Sequence, residues 1–214
     1  MITLETVSFF YGKRPIVENL SFRADAGECL VLAGPNGVGK STVLALAAGA
    51  LAPKGGRVLR QADVGFIPQE PALFSDLSVK DNLRFFASLR GTALPEHFCL
   101  PIEDVLLHPV GKLSGGMQKR VSIVCADLGA PKLMILDEPC AGLDLNAQTM
   151  LADLIAQWKR DGRCILYTGH DPYELAQVGD QLLFLDGSGA TLYPQVREAE
   201  VRALLESTSN FCLH

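Results

Sequence analysis

The chain has 214 residues, 48% of them apolar and 20% charged, the composition of one well-buried globular domain. Its net charge of −5 excludes a general nucleic-acid-binding surface, so no nucleic-acid partner is expected, although a local phosphate site needs only one cation. The start, Met1 to Glu5, has neither the basic segment nor the apolar core of a secretion signal, and the longest apolar run, 43–52, falls far short of a membrane span. A soluble chain is expected, one able to dock on a membrane protein.

Taken in chain order, Ile2 to Phe9 alternates apolar and polar residues and reads as a half-exposed strand. Ile16 to Arg23 is a second strand, closed by the turn Asp25-Ala26-Gly27-Glu28. The character then changes. Cys29–Ala33, Leu133–Leu136, Cys164–Tyr167 and Leu182–Leu185 are short continuous apolar runs, as expected of strands covered on both faces. Between and after them the pattern predicts helices at Lys40–Leu51, Val79–Arg90, Gly115–Leu128, Asn146–Arg160 and Pro172–Val178. Alternation of this kind predicts an α/β fold with a mainly parallel sheet, to which the N-terminal strands add an antiparallel part. The stretch from Glu70 to Lys112 breaks the rhythm with Pro71, Pro95, Pro101 and Pro109 and has no convincing buried strand. It reads as a small helical subdomain inserted between 1–69 and 113–214. The six cysteines, Cys29, Cys99, Cys125, Cys140, Cys164 and Cys212, show no Cys-x-x-Cys pair or metal-ligand spacing, so buried free thiols in a reducing compartment are expected.

Gly34-Pro35-Asn36-Gly37-Val38-Gly39-Lys40-Ser41-Thr42 matches G-x-x-x-x-G-K-[ST] at every fixed position, after an apolar strand and before a helical pattern. Glycines let successive backbone N–H groups turn toward phosphate oxygens, and the helix presents its positive end to the same anion. Lys40 would neutralise β- and γ-phosphates, and the Ser41 hydroxyl would ligate Mg²⁺. Further on, Leu133-Met134-Ile135-Leu136 delivers Asp137 and Glu138 to a sheet edge, where ligands bind in such folds. Asp137 would hold Mg²⁺ through water, and Glu138 would act as general base on the attacking water. Ser114-Gly115-Gly116 precedes a helical run and forms a second helix start with exposed donors. One nucleotide loop and two anion-ready helix starts point to a partner's nucleotide at the second. On local grounds alone Gln69 at a strand end reads as solvated, His170 in a loop as incidental and Tyr11 after Phe9-Phe10 as packing.

From Tyr11 to about Gly187 these stretches together resemble, in order, the nucleotide-binding subunit of ATP-binding-cassette (ABC) transporters. Gly34–Ser41 is similar to the Walker A loop, Leu133–Glu138 to the Walker B strand with its catalytic glutamate, and Leu113–Met117 to the signature sequence. Ala141-Gly142-Leu143-Asp144 resembles the D-loop. Gln69 falls at the Q-loop, His170 at the switch histidine and Tyr11 at the aromatic that stacks on adenine. The resemblance implies a P-loop NTPase cassette that binds ATP and Mg²⁺, with Ser41, Gln69 and Asp137 at the metal and Glu138, His170 and Gln69 in catalysis. It also implies a head-to-tail dimer of two cassettes, with each ATP between one chain's Gly34–Thr42 and the other's Ser114-Gly115-Gly116 and Asp144. The chain is then expected in the cytoplasm, on the inner face of the membrane, with 70–112 gripping an integral membrane subunit. A soluble ATPase of a non-transport assembly is the alternative. Two positions depart from the family pattern: Met117 stands where glutamine is usual, with Gln118 after it, and Cys140 replaces a small hydroxyl residue. Neither is expected to abolish activity.

Overall fold

The computed structural model describes residues 1–60 and 63–209. Cys212 lies outside the described residues. The N-terminal strands β1 (Ile2–Tyr11) and β2 (Arg14–Ala24) form an antiparallel sheet with β4 (Gly55–Arg60), in the order β2-β1-β4. The second sheet has the order β5-β6-β7-β3-β8-β9. Its strands β3 (Cys29–Ala33), β5 (Val64–Ile67), β6 (Leu133–Asp137), β7 (Cys164–Thr168) and β8 (Gln181–Leu185) run parallel. Only β9 (Ala190–Tyr193) pairs antiparallel, as a hairpin with β8.

Burial on both faces accounts for the unbroken apolar runs. Val31, Met134, Leu136, Ile165 and Tyr167 point into one core with α2 (Val79–Leu89), α3 (Gly115–Asp127), α4 (Leu145–Arg160) and α5 (Pro172–Val178). The alternate residues Leu30, Leu32, Ile135 and Leu166 point into the other, against α1 (Lys40–Ala48) and the antiparallel sheet. A parallel strand between two such layers has no solvent face on which alternation could be written.

α1 stops at Ala48, three residues before its expected end. Gly49 takes a left-handed φ of 81° and donates its N–H to Ala45 and Leu46 carbonyls, the usual glycine closure of a helix. Three elements were not anticipated: β4, β9 and α6 (Glu198–Ser209). The two strands are mostly exposed on both faces. α6 seats Val201 in the helical core, with Leu204 and Leu205 packed against it, a spacing of three and four that was present in the sequence.

Between β5 and α3 lie α2 and two short 3-10 turns, Glu103–Val105 and Val110–Lys112. α2 begins at Ser78, whose hydroxyl accepts the Asp81 N–H, a cap worth about 1 kcal/mol. Asn82 is fully buried and wholly satisfied. It accepts from Phe74 N–H and donates to the Phe74 and Ser78 carbonyls, tying the preceding loop to the helix.

Candidate functional site

The parallel strands end on one edge, and there the phosphate-loop motif forms a turn between β3 and α1. Gly34 has φ 146°, and a Cβ on it would lie 2.1 Å from the Leu185 carbonyl oxygen, so the chain leaves the sheet there only as glycine. Gly39 caps α1 with no side-chain acceptor, which leaves the first helical N–H groups available to an anion. Lys40 is buried at the base of the loop and donates to Gly34 O at 2.8 Å and Pro35 O at 3.1 Å. Desolvation lowers its pKa, while the nearby Glu138 and Asp137 carboxylates act in the opposite direction.

A cleft of about 480 Å³ opens above this loop. Asn36, Gly37, Gly39, Lys40, Ser41 and Thr42 form one wall. Gln69, Glu138 and His170 form the facing wall, from the ends of three different strands. Asp137 ends β6 as a buried carboxylate and accepts the Thr168 hydroxyl proton at 2.7 Å. The same Thr168 oxygen accepts the Glu138 N–H at 3.0 Å. Glu138 has a left-handed φ of 48°, and its carboxylate spans two partners. Gln69 Nε2 donates to Oε2 at 3.0 Å, and His170 Nε2 lies 2.5 Å from Oε1. A carboxylate so held, facing a lysine and a ring of backbone donors, can take a proton next to a bound polyphosphate.

Ser114, Gly115 and Gly116 lie elsewhere, in a second concavity of about 610 Å³ beside Gly142, Leu143 and Asp144. Ser114 caps α3 through its hydroxyl, which accepts Met117 N–H at 3.3 Å. Asp144 caps α4, accepting Ala147 N–H at 2.8 Å, and pairs with Arg120 at 3.4 Å. A Cβ on Gly116 would meet Gly142 O at 2.9 Å, so this glycine brings the two loops together. Gln69 is the residue common to both concavities.

The remaining expected site residues lie at the margins. Tyr11 is 55% exposed at the end of β1, edge-on to Phe9 and opposite Arg14 in the strand pairing. Pro35 contributes its carbonyl to Lys40, and Val38 packs toward the core with α1. Sequence reasoning missed Arg14 and Ile16, which line the phosphate cleft, and Thr168 and Lys119. Thr168 carried a readable signal, because it ends an apolar strand level with Asp137 in the β6–β7 register. Lys119 carried none, since its partners lie fifty residues away. Of the cysteines, Cys125 and Cys140 are pushed up by burial to about 12, which makes them inert thiols. Cys140 sits 3.4 Å from Tyr167 OH, which in turn bonds Glu174.

A mainly parallel sheet with a phosphate loop, a carboxylate pair and a separate glycine-rich helix start defines a nucleotide-hydrolysing cassette. Comparison with known proteins agrees. The family model described as ABC transporter matches residues 17–141. The zinc import ATP-binding protein ZnuC of Yersinia enterocolitica is 34% identical over 192 residues, 87% of this chain and 76% of that protein. Among solved structures, the ATP-binding subunit of an ABC transporter superposes with a TM-score of 0.84 at 26% identity, covering 100% of both chains. The cassette MJ0796, in a dimeric post-hydrolysis state bound to ADP and Pi, superposes with a TM-score of 0.82 at 21% identity over 92% of this chain and 99% of that one. The chain belongs to the ABC transporter family. It is an ATP-binding cassette with ATPase activity.

Proposed function

We propose that this chain energises a membrane-embedded transporter by closing and reopening a dimer of two cassettes. The observation that carries this reading is the separation, within one chain, of the phosphate cleft around Lys40 from the helix start at Ser114. Each is half of a nucleotide site, and a second copy in head-to-tail orientation supplies the other half, including Asp144. Tyr11, at the mouth beside Arg14, takes the adenine face. Glu138 accepts the proton of the attacking water, His170 contacts the γ-phosphate, and Gln69 connects the reacting end of the site to 70–112.

The donor set suits Mg²⁺, a hard cation that takes oxygen ligands. Ser41 offers a hydroxyl, Asp137 a buried carboxylate and Gln69 its amide oxygen, the Nε2 being engaged by Glu138. Bound Mg²⁺ neutralises charge on the β- and γ-phosphates. Thr168 orients the Asp137 carboxylate and at the same time holds the Glu138 backbone, so both acids keep one geometry.

Residues 70–112 act as the helical subdomain on which the membrane subunit docks. Exposed Phe74, Leu77, Phe85 and Leu89 support this, with Phe74 and Phe85 stacked edge-on at 4.9 Å; clustered apolar surface marks interaction sites. No helix among the described residues is long and apolar enough to cross a membrane; in this reading an integral membrane subunit supplies the membrane-spanning part. The cassette then lies in the cytoplasm on the inner face of the membrane. Affinity purification from its native membranes tests the proposal: a stable complex with an integral membrane protein, hydrolysing Mg-ATP, is expected. Capture of soluble partners alone, or no turnover in any complex, overturns it.

A further inference from the structure

Lys119 is a buried cation that lines the second concavity and reaches toward the first through the backbone at Gln69, the residue common to both. It lies one turn into α3, past the Ser114 cap, and is 3% exposed. Its ammonium donates to Gln69 O at 2.6 Å and Pro68 O at 3.3 Å. Both carbonyls belong to the segment just after β5, where no strand partner holds them. Gln69 then donates through Nε2 to Glu138 at 3.0 Å. A continuous path therefore runs from the helix start at Ser114, through a rigid turn of α3 and Lys119, to the carboxylate beside the phosphate loop. The neighbouring Gln118 does not duplicate it, because its amide turns the other way, to the Val110 and Leu113 carbonyls at 3.2 Å each.

We infer that Lys119 is a positioning residue: it ties the seating of the glycine-rich helix start to the Gln69–Glu138 contact, so that occupancy of one shared ATP site sets the geometry of the reacting carboxylate in the other. The inference rests on the shared-site reading above. The physical requirement is modest. Two carbonyls without a donor would let the 68–69 segment drift, and catalytic groups displaced by about 1 Å lose on the order of a hundredfold in rate. The amide of Gln69 has freedom of its own and recovers part of that loss.

A two-by-two cycle of Lys119→Met and Gln69→Ala, read as steady-state Mg-ATP hydrolysis with the full chain, tests this. Lys119→Met is expected to lower kcat roughly tenfold and leave the KM for ATP within about twofold. In the Gln69→Ala background the same change should move kcat by less than about twofold, since residues acting in series are not additive. Equal proportional losses in both backgrounds, or a KM change as large as the kcat change, overturn the inference and make Lys119 a packing residue. Lys119→Gln keeps a donor one bond shorter, and it should fall between wild type and Lys119→Met. It also carries the cycle if the methionine variant does not fold. ATP-dependent dimerisation of Glu138→Gln on gel filtration separates the two readings. A dimer with additive losses in the cycle sinks Lys119 alone, whereas no dimer sinks the shared site and this inference with it.

Discussion

The two helix starts share a plan and differ in everything around it. α1 begins after Gly39, which offers no side-chain acceptor, and together with its own buried Lys40 it shares a cleft with Gln69, Glu138 and His170. α3 begins after Ser114, whose hydroxyl already caps the helix, and it shares its concavity with Gln69, Glu70, Arg120 and Asp144. Both can hold an anion. In the proposed function the first, with Glu138 and His170 beside it, binds and reacts, while the second completes the nucleotide site of a partner. The lesson is that a glycine-rich helix start has no function of its own. The charge opposite it decides.

Substitutions on either side sharpen that contrast. The largest effect is expected at Glu138, where Glu138→Gln removes the base but keeps its hydrogen-bond shape. Turnover should fall about 10²- to 10⁴-fold, the usual range for a lost general base, with ATP affinity retained and a dimer trapped on ATP. Near-normal hydrolysis would remove Glu138 from the chemistry. Lys40→Ala comes next. Losing a charge-assisted phosphate contact of roughly 1.5–3 kcal/mol should weaken ATP binding about ten- to a hundredfold, measured by equilibrium titration with a fluorescent analogue. The smallest effect belongs to the second start. Met117 takes part through its backbone N–H, which donates to Ser114, so Met117→Gln should change kcat by less than about threefold, close to the ±0.5 kcal/mol of a neutral surface change. A large gain there would mean that the side chain, and not the helix start, meets the partner's nucleotide.

Much of this was legible from residues. The buried strands β3, β6, β7 and β8 announced themselves because both faces are covered, and the loop from Gly34 to Thr42 because its glycines serve backbone geometry. What escaped had weak or distant causes. β4 is held by hydrogen bonds to β1 rather than by burial of its own side chains, so its sequence carries little pattern. α6 was readable from Val201, Leu204 and Leu205 and was overlooked behind its acidic first turn. At the site, the meeting of Gln69, Glu138 and His170 was expected only through resemblance, since no local rule joins residues separated by 69 and 32 positions. Thr168 was readable from its place level with Asp137, whereas Lys119 acts on backbone carbonyls of another segment, and such contacts leave no mark on composition.

The left-handed backbone at Glu138 has a consequence for how such a cassette can be improved. A residue bearing a Cβ in that region costs of order 1–3 kcal/mol, and here it is sustained by the Thr168 oxygen that receives its N–H. Glycine is the side chain that would relax this position, and it is also one that can take no proton. Selection for heat resistance alone would therefore push this position toward inactivity. Selection for activity obliges the surrounding sheet to stay strong enough to hold an uncomfortable acid in place.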